Sequence, residues 1–136
     1  MIVSLRIGTY AFLFALLIAG CAKGPAVGTV NGEVTFDGQP LKTGNVLFTP
    51  IGGQGQTGGA IITDGKFKAE VPVAKMKVEI SAVKVTSRVP VYEGDPNSPM
   101  REETVELIPA RYNATSALTL DVQPGEQPVK YELKSK

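Results

Sequence analysis

The sequence predicts an all-β protein, a single antiparallel β-sandwich of seven or so short strands. Apolar and polar side chains alternate with a period of two along most of the chain after residue 28, as a half-buried strand requires. The 15 Gly and 10 Pro among 136 residues interrupt almost every window in which a helix would fit. Where no helix is available, alternating faces are buried by packing sheet on sheet, which favours a sandwich.

Each strand is justified by this alternation and by the turn residues that follow it. Val34 and Phe36 share one face of the first strand, which ends at Asp37-Gly38. Asp-Gly is typical of a type I′ turn, so Asp64-Gly65 predicts the tip of a hairpin. A phase slip between Val83 and Val85 predicts a β-bulge. The predicted strands cover residues 30–36, 46–49, 60–63, 66–71, 76–82, 104–108, 117–122 and 129–133.

Residues 1–20 are predicted to be a helical signal peptide. Arg6 is their only charged residue, and the apolar run 10–19 is shorter than the roughly 20 residues of a membrane-spanning helix. Residues 17–21 (Leu-Ile-Ala-Gly-Cys) resemble the bacterial lipobox, which implies cleavage between Gly20 and Cys21 and a diacylglycerol on the Cys21 thiol. Three alternatives stay open: cleavage after Ala22 by ordinary signal peptidase, a free Cys21 thiol, and an uncleaved N-terminal anchor.

This leader predicts an exported protein that is lipid-anchored to a bacterial membrane, at the outer membrane or the periplasmic face. Residues 21–28 then form the lipidated cysteine and a short tether, and residues 29–136 form the β-sandwich domain. The predicted partners are the membrane, through the lipid on Cys21, and an envelope protein or glycan.

The composition excludes several classes of function. Lys and Arg together number 14 against 13 Asp and Glu, so there is no basic field to hold nucleic acid. The chain has no His and only one Cys, which excludes zinc sites of the Cys/His type, Ser-His-Asp triads and Cys-His dyads within it. On a strand, Glu102 and Glu106 would share a face but would lie about 13 Å apart, too far for a glycosidase pair. We therefore predict no enzyme activity, catalytic residue, cofactor or metal.

Three segments resemble the carboxypeptidase regulatory-like, transthyretin-type sandwich domains. Residues 30–41 carry the pattern G-x-V-x-F-D-G-x-P-L, residues 45–50 end in a proline, and residues 63–67 carry Thr-Asp-Gly-Lys-Phe with one residue fewer before the glycine. Residues 107–122 are similar to small exported lipoproteins of planctomycete-type bacteria. The resemblance implies a transthyretin-like, Greek-key type sandwich with no established activity. The hydroxyisourate hydrolases of that fold need histidines and a C-terminal Tyr-Arg-Gly-Ser ending, and this chain has neither.

The candidates for ligand contact are Tyr92, Arg111 and Tyr112. Residues 87–103 form a predicted long connection in which Tyr92 offers a stacking surface for sugar. Arg111 and Tyr112 follow a proline and suit either a structural corner or a binding site. The main hypothesis is a non-catalytic protein-interaction or structural module. The alternative is a carbohydrate- or peptidoglycan-binding domain that uses Tyr92, Tyr112 and the glycine-rich loop 52–59.

Overall fold

The computed structural model describes residues 23–136. The predicted signal peptide 1–20 and the predicted lipidation and cleavage site at Gly20 and Cys21 lie outside the described residues. The described chain is built of strands, which confirms the all-β prediction. The elements are β1 Val27–Phe36, β2 Gln39–Pro40, β3 Thr43–Pro50, β4 Gly58–Thr63, β5 Lys66–Pro72, β6 Lys75–Ser81, β7 Val83–Pro90, β8 Met100–Glu106, a 3-10 helix Ala110–Tyr112, β9 Thr119–Asp121 and β10 Gly125–Leu133.

Eight strands form one sheet in the order β10-β1-β5-β4-β3-β6-β9, with β2 beside β1. β9 and β10 lie at opposite edges of this sheet although only residues 122–124 separate them in the chain, so the sheet curls into a half-barrel. β10 enters beside the start of β1, with Gly125 opposite Gly28, and must run parallel to it. Among the described strands this is the one parallel pair, and the alternation pattern did not predict it.

The concave face of the sheet holds the core. Inward side chains alternate along β1, β3, β5 and β6, as the period of two predicted. Gly32 occupies an inward position of β1 because the Phe67 ring fills the space where its side chain would lie. The fully buried side chains with the largest volumes are Phe48, Ile62, Met76, Ile80, Leu133, Val30, Val34, Val46, Val71, Val78 and Val122.

Both Asp-Gly pairs form the turns that the sequence predicts. Asp37 and Gly38 have φ of +49° and +82°, and Asp64 and Gly65 have φ of +48° and +76°. Two consecutive residues with positive φ define a type I′ turn, whose twist matches that of the strands it joins. The Gly65 N–H donates to the Leu41 carbonyl oxygen at 2.8 Å, so this turn also ties two parts of the sheet together.

The sheet has two ends, which we name by the direction of β1. The proximal end is where β1 begins, with Val27 opposite Pro72 and the 122–124 bend nearby. The distal end is where β1 finishes, with Phe36 opposite Leu133. β6 runs from the proximal to the distal end, since it starts just after Pro72 and its last residue pairs near the beginning of β3.

The prediction of a long connection over residues 87–103 is wrong. β7 and β8 form a hairpin that occupies most of this segment and leaves residues 91–99 as its tip. The seven residues of β8 are all exposed, as is Leu107 after them, so neither face of the strand shows the apolar alternation that identified the others. The register shifts between Val85 and Ser87, next to the phase slip that predicted a bulge.

Candidate functional site

The hairpin of β7 and β8 projects from the distal end, and we call residues 83–106 the arm. Its two strands form a separate sheet and pair with no other described strand. The arm leaves the main sheet at Ala82, whose N–H donates to Glu106 Oε1 at 2.9 Å and whose carbonyl oxygen accepts from the Leu107 N–H at 2.7 Å. The same Glu106 oxygen accepts from the Ile108 N–H at 3.0 Å. One carboxylate therefore fixes the base of the arm.

The arm is long relative to the domain. Val83 pairs with Glu106 at its base and Pro90 pairs with Met100 near its tip. Seven steps along a strand at about 3.3 Å each give a length of about 23 Å. Side-chain contacts across the arm include Arg88 Nε to Glu102 Oε1 at 3.0 Å. Such exposed pairs contribute little stability, so the arm depends mainly on its own ladder of backbone hydrogen bonds.

Apolar side chains are concentrated on the arm and at its base. Of the eleven exposed large hydrophobic residues in the described chain, seven lie between residues 83 and 107. Isolated exposed apolar residues are ordinary on a protein surface, but a concentration of them indicates an interaction site. These seven are Val83, Val85, Val91, Tyr92, Met100, Val105 and Leu107.

Tyr92 lies at the tip of the arm with 63% of its surface exposed. Its N–H donates to Ser98 Oγ at 2.8 Å, and the neighbouring Val91 N–H donates to the Pro99 carbonyl oxygen at 2.9 Å. These bonds fix the backbone of the tip and leave the Tyr92 ring open to solvent. An exposed ring on an ordered backbone is suited to contact with a protein surface or a sugar face.

Arg111 and Tyr112 lie on the 3-10 helix at the distal end and hold the C-terminal residues. The Arg111 guanidinium lies 4.9 Å from the centre of the Tyr112 ring and donates through Nη2 to the Lys134 carbonyl oxygen. The Lys134 N–H donates to Tyr112 Oη at 3.3 Å, and the Ser135 N–H donates to Asp37 Oδ1 at 2.9 Å. These two predicted candidates therefore form the structural corner that the sequence offered as one of two interpretations.

Two pKa shifts reflect this corner. The hydrogen bond from Arg111, followed by that from the Lys134 backbone, lowers the pKa of the Tyr112 hydroxyl. The Ser135 hydrogen bonds lower the pKa of the Asp37 carboxyl. Asp37 is exposed and Tyr112 is half-buried, and hydrogen bonds are the main cause of both shifts, so the shifts indicate fixed hydrogen bonds and not a reactive pocket.

The structure does not bring the three parts of the predicted sugar site together. Tyr92 lies at the arm tip, Tyr112 lies at the distal end of the main sheet, and the glycine-rich loop follows β3 at the proximal end. In that loop Gly52, Gly53 and Gly55 have φ of +101°, +75° and +118°, and residues 51–57 are all exposed. Of the two tyrosines, Tyr92 alone combines an exposed ring with a hydroxyl that forms no hydrogen bond within the described residues.

Two surface grooves were not predicted from the sequence. The first has a volume of about 540 Å³ and lies on the outer face of β5, β1 and β10, where Glu33 stands between Lys66 and Lys130. The second has a volume of about 370 Å³ and lies at the distal end between the β2–β3 segment and the base of the arm. Lys42 and Lys84 are among its lining residues. Both grooves assemble residues that are distant in the chain, so only the pairing of strands reveals them.

The described residues contain no group of three or more His, Cys, Asp or Glu arranged to hold a metal ion. No helix among residues 23–136 has the length and apolar character needed to cross a membrane. No protein-family model, curated protein or solved structure matches this chain.

Proposed function

We propose that this chain is an exported, lipid-anchored protein of the bacterial cell envelope that binds another envelope protein and catalyses no reaction. A diacylglycerol on Cys21, added with cleavage between Gly20 and Cys21, anchors it. Residues 21–28 are the tether, and the β-sandwich of residues 29–136 is the interaction module. The lipobox-like leader and the resemblance to transthyretin-type, planctomycete-type lipoprotein domains support this proposal.

The placement of the arm is the observation that carries the proposal. The described chain enters the sheet at the proximal end through Val27, whereas the arm leaves from the distal end after Ala82. The ten residues of β1 span about 30 Å, and the arm adds about 23 Å. A lipid at Cys21 would therefore place the base of the arm about 30 Å, and its tip up to about 50 Å, from the anchored end. A partner in the envelope is the occupant that this geometry favours.

The exposed state of the arm also supports a partner. A two-stranded hairpin without a packed face is only marginally stable in water. Both faces of this arm are exposed, and its apolar residues lie at the base and at the tip. A surface that covered either face would bury apolar area at about 25 cal/mol per Å² and would stabilise the arm.

Cross-linking in cells that express the protein tests this function. A photoreactive amino acid replaces Tyr92 or Thr104 on the arm, or Thr57 in the proximal loop as the matched control; all three positions are exposed. We expect both arm positions to yield the same discrete adduct with one envelope protein, and Thr57 to yield none. Adducts of equal intensity from all three positions, or none from the arm, would contradict the proposal.

The exposed ring of Tyr92 favours one second candidate, the binding of envelope polysaccharide. In that case purified peptidoglycan would retain the protein, Tyr92→Ala would abolish retention, and Tyr112→Phe would leave it unchanged because Tyr112 holds the C-terminal segment. Retention that is insensitive to Tyr92→Ala would eliminate this candidate.

A further inference from the structure

The distal groove exists because β3 and β6 separate. Their antiparallel pairing stops at Asn45 opposite Ser81, although the same register continued would set Thr43 opposite Val83. The Ala82 N–H is bonded to the Glu106 side chain instead, and the Ala82 carbonyl oxygen to the Leu107 N–H. β7 therefore turns away from β3 and opens a wedge. We call the space in it the wedge groove.

The walls of the wedge groove are apolar. Phe36, Pro40 and Leu41 line one side, and Val83 and Leu107 line the other. Leu41 belongs to the core and is 4% exposed, whereas Val83 and Leu107 are 63% and 41% exposed. The groove is open to solvent, and the wall formed by Val83 and Leu107 is uncovered in the described chain. Burial of these walls would favour binding of an apolar side chain.

The charges at the rim of the wedge groove have one sign. Lys42 and Lys84 line it, and no carboxylate does. Within the described residues neither lysine forms an ion pair with a carboxylate. The outer-face groove differs, because Glu33 stands between Lys66 and Lys130 and offsets their charge. Two ammonium groups without carboxylate partners beside an apolar floor are complementary to a ligand that carries carboxylates next to an aliphatic group.

We propose that the wedge groove binds an extended acidic segment of a partner protein, with one aliphatic side chain in the groove and carboxylates at Lys42 and Lys84. This inference rests on the proposed function as an interaction module, and it specifies the chemistry of the partner. An extended peptide fits better than an enclosed small molecule because the groove is open and lies at the ends of strands.

A charge-reversal experiment on the full chain in detergent tests the proposal. The probe is a short fluorescent peptide with a central leucine flanked on each side by two glutamates, and its anisotropy is measured with empty micelles as the blank. We expect K42E/K84E to weaken binding by about tenfold or more. The same variant should gain affinity for a peptide with lysines in place of the glutamates. The matched double variant K66E/K130E should bind as the unmodified protein does.

Four results would overturn the proposal. The first two are no binding of the glutamate peptide at millimolar concentration and an equal loss of peptide affinity in both double variants. The other two are displacement of the peptide by octanoate as effectively as by unlabelled peptide, and release of the peptide as the chain dimerises. Displacement by octanoate would indicate that the groove binds a lipid chain, and release on dimerisation would indicate that it binds a second copy of this chain. The cross-linking experiment at Tyr92 and Thr104 is independent of these lysines. If the arm still forms its adduct when the peptide does not bind, the interaction module stands and only the wedge groove assignment fails.

Discussion

Replacement of Gly32 by alanine should destabilise the protein through one identifiable contact. A Cβ built on Gly32 would lie 2.7 Å from Phe67 Cδ1 and closer still to two further carbons of the ring. Phe67 is 6% exposed and its ring centre lies 6.1 Å from that of Phe48, so it has little room to move. Overpacking of this kind costs about 1–3 kcal/mol, and we expect about 2 kcal/mol for Gly32→Ala.

A double-mutant cycle isolates this contact. Phe67→Ala alone should cost about 3–5 kcal/mol because it leaves a cavity in the core. In that background Gly32→Ala should cost nothing or stabilise by roughly 0.5 kcal/mol, since alanine restrains the unfolded chain more than glycine does. Gly24→Ala is the control, because nothing lies within 4 Å of its Cβ position.

Urea unfolding followed by circular dichroism measures all four corners of the cycle. At roughly 4 °C per kcal/mol, Gly32→Ala alone should lower the Tm by about 8 °C. If Gly32→Ala costs the same with and without the Phe67 ring, the steric explanation is refuted.

Three further predictions follow. Burial raises the pKa of Tyr131 to about 12, so its contribution to stability is present below pH 10 and lost as pH rises to about 12. Tyr131→Phe should flatten this loss in urea titrations, with Tyr112→Phe as the control, and should stabilise the protein by about 1 kcal/mol because the buried hydroxyl has no hydrogen-bond partner within residues 23–136. Because the pKa of Asp37 is lowered, its hydrogen bond to Ser135 should persist as pH falls towards 3.8 and be lost below that pH. The Ser135 amide resonance should therefore titrate with a midpoint under 3.8, and a higher midpoint would contradict the assignment. Cys21→Ala should release the protein from the membrane fraction and leave its leader mis-processed, and unchanged membrane attachment would count against the lipobox.

Features of the fold that depend on neighbouring residues were predictable from the sequence. The Asp64-Gly65 turn needs two residues with positive φ, and few residue pairs other than Asp-Gly supply them. β1, β5 and β6 each bury one face, so their apolar residues alternate visibly. The residue types that a turn requires and the burial of one face of a strand can both be recognised from a few consecutive residues.

Features that depend on distant partners were not predictable in this way. The parallel register of β10 on β1 follows from the curl of the sheet, which no short window of sequence reveals. The arm buries neither face, so residues 100–103 of β8 were predicted to be part of a loop until the pairing with β7 is seen. The wedge groove needs Lys42 and Lys84 on opposite sides of a strand separation, which is a property of the pairing alone. Tyr92 was predicted as a contact from its loop, and the structure adds that it stands at the tip of an arm.

Intact mass spectrometry of the protein extracted from its own membranes tests the central proposal most directly, because one spectrum reports both the cleavage site and the attached lipid. We predict a chain that begins at Cys21 and carries the added mass of a diacylglycerol, with or without a further acyl group on its amine. A mature chain that begins elsewhere, or that carries no fatty acid, would contradict the account of an anchored domain with its arm directed away from the membrane.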